Sequence, residues 1–371
     1  MHVLMTVNAA WNIWNFRKPV VRALLAGGHK ITVLAPKDDF VDQLTQLGCG
    51  FVPLELNAKG LNPFDEWKLL RQFKQVFKEQ KPDVILSYTI KNNTFGALAA
   101  KPLGIPFVPN VSGLGTGFLS GAALQFVVEQ LYRRAYRDLP IVFFQNEDDR
   151  DLFTCRRLVT ADQARLLPGS GIDLEHFEAA EFPQGEAPVF LLIARLLRDK
   201  GVVEFVEAAR QVKIDFPRAR FQLLGAAGSE NRTAISAETV NEWVRDGIVE
   251  YLGTTHDVRP TIAAAHCIVL PSYREGAPRT LIEAAAMARP LIATDVPGCR
   301  AVVDHEKTGF LCDVRSADSL AIAMRRFLNL SVEQRTEMGQ AGRAKMEREY
   351  DQKPVVGSYT DAIRDLTGQS V

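Results

Sequence analysis

Cys267-Ile268-Val269-Leu270-Pro271-Ser272-Tyr273-Arg274-Glu275-Gly276-Ala277-Pro278-Arg279-Thr280-Leu281-Ile282-Glu283-Ala284 is an apolar run, then a Pro- and Gly-bearing loop, then a helical pattern. Four apolar residues bounded by turn chemistry read as a buried parallel strand, and the switch to a helical period after Pro278 makes one βα unit. Similar units lie on both sides. Upstream, Val189 to Ala194 reads as a strand and Val202 to Val212 as a helix, and Phe221 to Gly225, Val249 to Leu252 and Leu291 to Thr294 read as further strands. The N-terminal half repeats the rhythm: strands at Val3 to Val7, Ile31 to Leu34, Val84 to Leu86, Phe107 to Val108 and Ile141 to Phe144, and helices at Lys18 to Ala26, Phe64 to Glu79 and Leu119 to Arg137. Repeated βα alternation predicts doubly wound parallel sheets.

The rhythm pauses at Leu167-Pro168-Gly169-Ser170-Gly171-Ile172-Asp173 and again from Phe182 to Pro188, where loop residues dominate. At 371 residues the chain exceeds what one core sustains. The expected organisation is therefore α/β, two Rossmann-like doubly wound domains facing across a cleft: 1–175, 176–352, and a C-terminal helix at 353–371 crossing back to the first domain. Lys plus Arg and Asp plus Glu each total 44, so net charge is zero and no global basic field of the nucleic-acid-binding kind exists. Five scattered cysteines without a C-x-x-C pair argue against a zinc site or a disulfide framework. The first residues lack a basic n-region and read as a strand, so a cytoplasmic setting is expected. An uncharged stretch from Pro102 to Val128 is long enough to span a bilayer but is broken by Gly113, Gly115, Gly117 and Gly121; it reads as strand, glycine loop and helix start.

Two constellations carry chemistry. Arg195 and Lys200 follow the strand at Val189 to Ala194, where an open α/β sheet binds ligands and a helix N-terminus favours anions. Two cations there suit a diphosphate, although solvated loop cations would share that spacing. Glu275 sits in a loop before a helix, and Glu283 lies on that helix. Carboxylates accept from paired hydroxyls and so suit a sugar or ribose diol. Gly276 and Pro278 let backbone amides approach a ligand. For Glu283 the plainer alternative is a helix-surface carboxylate paired with a nearby cation.

These motifs, with Pro297-Gly298, Thr308-Gly309-Phe310 and Pro168 to Asp173, resemble glycosyltransferase family 4, the retaining enzymes of GT-B fold. The resemblance implies that Arg195 and Lys200 bind a donor diphosphate, that Glu283 binds the nucleotide ribose, and that Glu275 with the backbone of Gly276, Ala277, Pro278, Arg279 and Thr280 holds the transferred sugar. Gly225 and Thr254 would border the nucleobase. Ser87 to Asn93, Asn110 to Gly115 and Phe144 to Asp149 resemble a narrower group, the bacterial enzymes that extend lipid-linked oligosaccharides, capsule or O-antigen precursors. Where many members carry a glycine pair and a histidine, this chain has Asn8-Ala9-Ala10 and Tyr88-Thr89-Ile90-Lys91, so no catalytic histidine is carried over. Asn8, Asn12, Arg17, Lys91, Gly113 and Gly115 are the acceptor-side candidates.

The expected activity is transfer of a hexose or N-acetylhexosamine from a nucleotide sugar, UDP-linked, to a lipid-linked saccharide, with no metal or other cofactor. An epimerase or hydrolase of GT-B type and a non-catalytic sugar-nucleotide binder are the competing readings. Gly113-Leu114-Gly115-Thr116-Gly117 follows a late strand and lacks a third spaced glycine, which disfavours a dinucleotide site. Asp149-Arg150-Asp151 has metal-binding spacing but reads as the acidic first turn of a capped helix. Phe126, Val127, Leu131 and Tyr132 with Arg133, Arg134 and Arg137 predict a core-facing helix, with docking on an anionic membrane surface as the alternative.

Overall fold

The computed structural model describes residues 1–371 except 57–61, 114–121, 186, 229–230, 232 and 369–371. The chain divides into two compact units, Met1–Gly171 with Gln352–Val371, and Ile172–Asp351.

Unit 1 holds seven parallel strands: β1 (His2–Thr6), β2 (Lys30–Ala35), β3 (Gly50–Pro53), β4 (Val84–Tyr88), β5 (Phe107–Val111), β6 (Val142–Phe144) and β7 (Ala164–Leu166). Their spatial order is β3-β2-β1-β4-β5-β6-β7. The helices are α1 (Ala10–Phe16), α2 (Lys18–Ala26), α3 (Val41–Gln46), α4 (Pro63–Gln80), α5 (Ile90–Ala100), α6 (Ala122–Tyr136) and α7 (Glu147–Cys155). Apolar cores cover both sheet faces. Asn62 caps α4 by accepting from Phe64 N, with Pro63 opening the helix, and Lys81 in the left-handed region ends it before Pro82.

Unit 2 holds β8 (Val189–Ile193), β9 (Arg220–Leu224), β10 (Glu250–Tyr251), β11 (Cys267–Leu270), β12 (Leu291–Thr294) and β13 (Gly309–Cys312), ordered β10-β9-β8-β11-β12-β13. Its helices are α8 (Val202–Asp215), α9 (Ala237–Arg245), α10 (Arg259–Ala264), α11 (Arg279–Ala286), α12 (Pro297–Val302), α13 (Ala317–Leu328) and α14 (Val332–Glu349). Arg289 is fully buried and donates to the carbonyls of Ala180 and Glu181 and to those of Ile262 and Ala263 in the last turn of α10, which gives these main-chain acceptors a donor. The last helix, α15 (Gln352–Thr367), packs within unit 1, with Val355, Tyr359, Ala362 and Ile363 buried in its core.

Both sheets reverse their strand order beside the first strand of the unit, between β1 and β4 and between β8 and β11. That reversal opens a crevice at the carboxyl ends of the paired strands, the ligand-binding position of open α/β sheets. The sequence reading leaves out β3 and β7, which are short and partly exposed, and β13, a four-residue strand that opens on Gly309. It also assigns α6 a core face that includes Phe126 and Val127, and the structure corrects this. Tyr132, Ala135 and Tyr136 face the core, whereas Phe126 and Val127 are exposed.

Candidate functional site

At the carboxyl edge of unit 2, two loops leave β8 and β11 side by side. The first, Arg195 to Gly201, makes a single 3-10 turn at Arg198–Lys200. Gly201 ends it at φ +70, and a Cβ there would lie 2.0 Å from the Pro271 carbonyl oxygen. Only glycine accepts both the left-handed backbone and that approach. Tyr273 N donates to Asp199 O at 2.9 Å, so the loops are fastened backbone to backbone.

This fastening brings Lys200 and Glu275 together, with Nζ 2.5 Å from Oε1 and side chains 26% and 12% exposed. A charge-assisted bond at that depth holds both groups in place. Arg195 stands exposed at the end of β8. The loop behind Glu275 is held from below: Gly298 N donates to Glu275 O at 3.2 Å, and a Cβ on Gly298 would come within 2.5 Å of the Glu275 and Gly276 oxygens. Tyr273 donates to Glu204 at 2.7 Å and lies under the Arg315 guanidinium. Burial, with Glu204 beside it, pushes the Tyr273 hydroxyl up to about 12, so it stays a donor. The sequence reading missed Glu204 and Arg315, which no local pattern connects to the loop.

Glu283 lies on α11, paired with Arg279 one turn earlier at 2.8 Å. Pairing with a nearby cation is therefore what the structure shows, in a half-closed setting where the Glu283 side chain is 16% exposed. Burial raises its carboxyl above the usual range, and Arg279 and His176 oppose the rise. Pro278 holds the N-cap position of α11 without a side-chain hydrogen bond, and Arg279 and Thr280 begin the first turn at the same edge. The Thr280 hydroxyl is committed to the Ile193 carbonyl at 3.1 Å, which ties α11 to β8. Ala277 and Gly276 complete the loop, partly exposed.

Gly225 follows β9 at φ +145, where a Cβ would meet Ala194 O at 1.8 Å, and its N donates to Gly253 O at 2.7 Å. Thr254 is exposed next to that contact. The structure thus gathers Arg195, Lys200, Gly225, Thr254, Glu275 and the start of α11 on one sheet edge.

The unit 1 candidates divide. Asn8 is exposed directly after β1. Arg17 is buried, its guanidinium 4.6 Å from the Tyr88 ring centre and its Nε without a partner. Asn12 Oδ1 is also closed off without a partner. Lys91 pairs with Glu66 at 2.6 Å. Thr89, just before α5, sits at φ +71, an unusual position for a β-branched residue that marks functional sites more often than others. Asn92 holds this turn, donating to Thr6 Oγ1 at 2.8 Å and accepting from Thr89 Oγ1 at 2.9 Å. Gly113 has φ +145, whereas Gly115 lies outside the described residues. Asp149 is buried in the cap of α7 and Asp151 pairs with Arg150, so these carboxylates, two positions apart on a helix, share no face.

Residues 15–169 match the family described as glycosyl transferase 4-like domain, and residues 175–345 match glycosyl transferases group 1. The chain is 30% identical over 339 residues to the N,N'-diacetylbacillosaminyl-diphospho-undecaprenol alpha-1,3-N-acetylgalactosaminyltransferase of Campylobacter jejuni, covering 86% of this chain and 88% of that protein. It is 24% identical to the UDP-Gal:alpha-D-GlcNAc-diphosphoundecaprenol alpha-1,3-galactosyltransferase of Escherichia coli, covering 78% of this chain and 77% of that one. Among solved structures, the HepE protein of Anabaena in complex with UDP superposes with a TM-score of 0.79 at 17% identity, over 98% of this chain and 100% of that one. Two Rossmann-like units with these matches along nearly the whole length place the chain in glycosyltransferase family 4, with the GT-B fold.

Proposed function

We propose that this glycosyltransferase moves a hexose or N-acetylhexosamine from a UDP-linked donor to a saccharide carried on a polyprenyl diphosphate, with retention, in surface polysaccharide or glycan synthesis. The observation that carries the donor half is the Lys200–Glu275 pair beside Arg195 at the switch point of unit 2. The names of the C. jejuni and E. coli relatives, both acting on diphospho-undecaprenol sugars, support the acceptor half. Arg195 and Lys200 take the charge of the departing diphosphate, and Glu275 accepts from hydroxyls of the transferred sugar. The acceptor oxygen bonds to the anomeric carbon as the bond to the diphosphate breaks. The bonding pair leaves with the phosphate, and a departing phosphate oxygen takes the acceptor proton. The residues gathered at this edge supply the positive charge this needs, and the reaction is proposed to run without a metal. Glu283 holds the ribose.

Incubation with UDP-sugars, with and without a polyprenyl-diphosphate sugar, tests this reading. UDP release that requires the acceptor is expected. Conversion without acceptor would instead make the chain an epimerase or hydrolase, and binding without conversion would make it a sensor.

The same reading includes contact with the cytoplasmic face of a membrane. Among the described residues no helix is long and apolar enough to cross one. Exposed Phe126, Val127 and Arg134 on α6, with exposed Arg137 one residue past its end, make a pattern suited to an anionic interface. Arg133 instead turns to the Arg156 carbonyl. Changing Arg134 and Arg137 to Glu should release the chain from anionic vesicles in cosedimentation, and unchanged binding would rule this face out.

A further inference from the structure

The carboxyl edge of unit 1 carries a cavity of about 370 Å³ whose walls include Glu55, Asp65, Glu66, Lys68, Leu69 and Lys91. Its size falls at the small end of the ~300–1,000 Å³ typical of ligand pockets. Glu55 follows β3, Lys91 is the second residue of α5, which follows β4, and Asp65 and Glu66 occupy the first turn of α4. The polar walls therefore come from strand ends and helix starts, the ligand-binding edge of such a sheet. The α5 side is held firmly, because Asn92 anchors the turn at Thr89 to β1.

The wall chemistry is mixed. Glu66 Oε1 takes the Lys91 ammonium at 2.6 Å, with side chains only 13% and 18% exposed. Glu55 and Lys68 form a looser, exposed pair at 3.4 Å. Glu66 Oε2 is closed off and has no hydrogen-bond partner. A buried carboxylate oxygen left without a donor is costly, and since the Glu66 side chain keeps 13% of its surface exposed, a rotation of the carboxylate that brings this oxygen to a ligand donor would be favoured. Two ammonium groups disfavour a metal cation, and three carboxylates disfavour an anion. A neutral ring bearing hydroxyls and an amide offers both donors and acceptors to such a wall.

We propose that this cavity is the subsite for the terminal sugar ring of the acceptor, with Glu66 accepting from a ring hydroxyl or amide N–H and Lys91 donating to a ring oxygen. This rests on the proposed transfer to a lipid-linked saccharide, whose acceptor-side candidates Asn8, Arg17 and Lys91 belong to unit 1. Asp65 and Glu55 bound the ring, and the choice between acceptor sugars is made here and not at the donor edge.

The test uses the full chain, a short-chain polyprenyl-diphosphate N-acetylhexosamine and the UDP-sugar that the wild type turns over. Glu66→Gln and Lys91→Met should each raise the acceptor KM at least tenfold while donor KM and the UDP-induced rise in Tm stay within error. Glu55→Gln changes an exposed residue and leaves the fold intact, and should raise acceptor KM about threefold. If the wild type transfers and all three variants keep its acceptor KM, the subsite is wrong and the proposed function stands. Equal rises in donor and acceptor KM also overturn the subsite. A wild type that transfers to no lipid-linked saccharide overturns the reading beneath it as well.

Discussion

Lys200 and Glu275 are separated by 75 residues in the chain and by 2.5 Å in space, and they meet because the loops after β8 and β11 are fastened at Asp199 and Tyr273. In the proposed reaction, removing Glu275 takes away an acceptor for the transferred sugar's hydroxyls, and it also frees the Lys200 ammonium from its partner. Glu275→Ala should therefore lower kcat on the order of 10²-fold with donor KM little changed, as measured by acceptor-dependent UDP release. Unchanged turnover would remove Glu275 from the reaction. Glu283 is a different case, because burial has raised its carboxyl. A raised acid favours the folded state below the ordinary carboxylate range and loses that contribution as pH rises through its folded value. At neutral pH the charge is thus a cost to folding. Glu283→Gln should keep or raise the thermal midpoint at pH 7 while weakening donor binding about tenfold, since a neutral acceptor makes the weaker bond. Calorimetric titration with UDP checks this, and unaltered affinity would separate Glu283 from the donor. Both glutamates stand out in the sequence by their place around a helix start. Their partners do not, because Arg279 is one of several nearby cations and Lys200 belongs to another βα unit.

At the scale of elements, His266 joins the start of β11 to the start of β8. Its Nδ1 accepts from Val189 N at 3.1 Å, which fixes the neutral ring, and Nε2 is buried without a partner. Burial, with Arg335 and Arg289 nearby, brings its pKa from 6.5 down to about 4. Protonation at Nδ1 would break the bond to Val189. A lowered pKa stabilises the fold above the ordinary value and loses that contribution as pH falls toward the folded one. Unit 2 should lose about 3 kcal/mol between pH 6.5 and 4 through this group. His266→Asn keeps an acceptor without titrating and should flatten that part of a pH series of urea unfolding curves; a parallel loss in the variant would absolve His266. The sequence shows only a histidine without ligand spacing. Strands of four or five buried apolar residues, such as β8 and β11, are legible because nothing polar interrupts them. By contrast β3 and β7 are partly exposed, and pairing with a neighbour, not composition, makes them strands.

At the scale of the whole molecule, α15 returns to the unit that holds β1. Tyr359 is buried against Tyr88 and Phe143, and its hydroxyl accepts from Asn110 Nδ2 at 2.6 Å. Uncovering Val355, Tyr359 and Ile363 at roughly 1.5–3 kcal/mol each would forfeit about 5–9 kcal/mol, comparable with the ~5–15 kcal/mol total stability of a domain. A chain ending at Asp351 should therefore lose the unit 1 transition in scanning calorimetry while unit 2 keeps its UDP-induced stabilisation. An intact unit 1 transition would show that α15 is dispensable. Strand hydrophobicity, helix period and turn residues are local properties, so the two βα series, the loops after β8 and β11 and the glutamates around α11 are legible in the sequence. It also carried the family, through the spacing from Arg195 to Glu283. The pairing of Lys200 with Glu275, the bond of Lys91 to Glu66 in a cavity wall and the outward placing of Phe126 and Val127 come instead from the packed fold. Those outcomes depend on which strands neighbour one another and which helix face meets the sheet, and long-range packing energy selects them where no local preference distinguishes the choices.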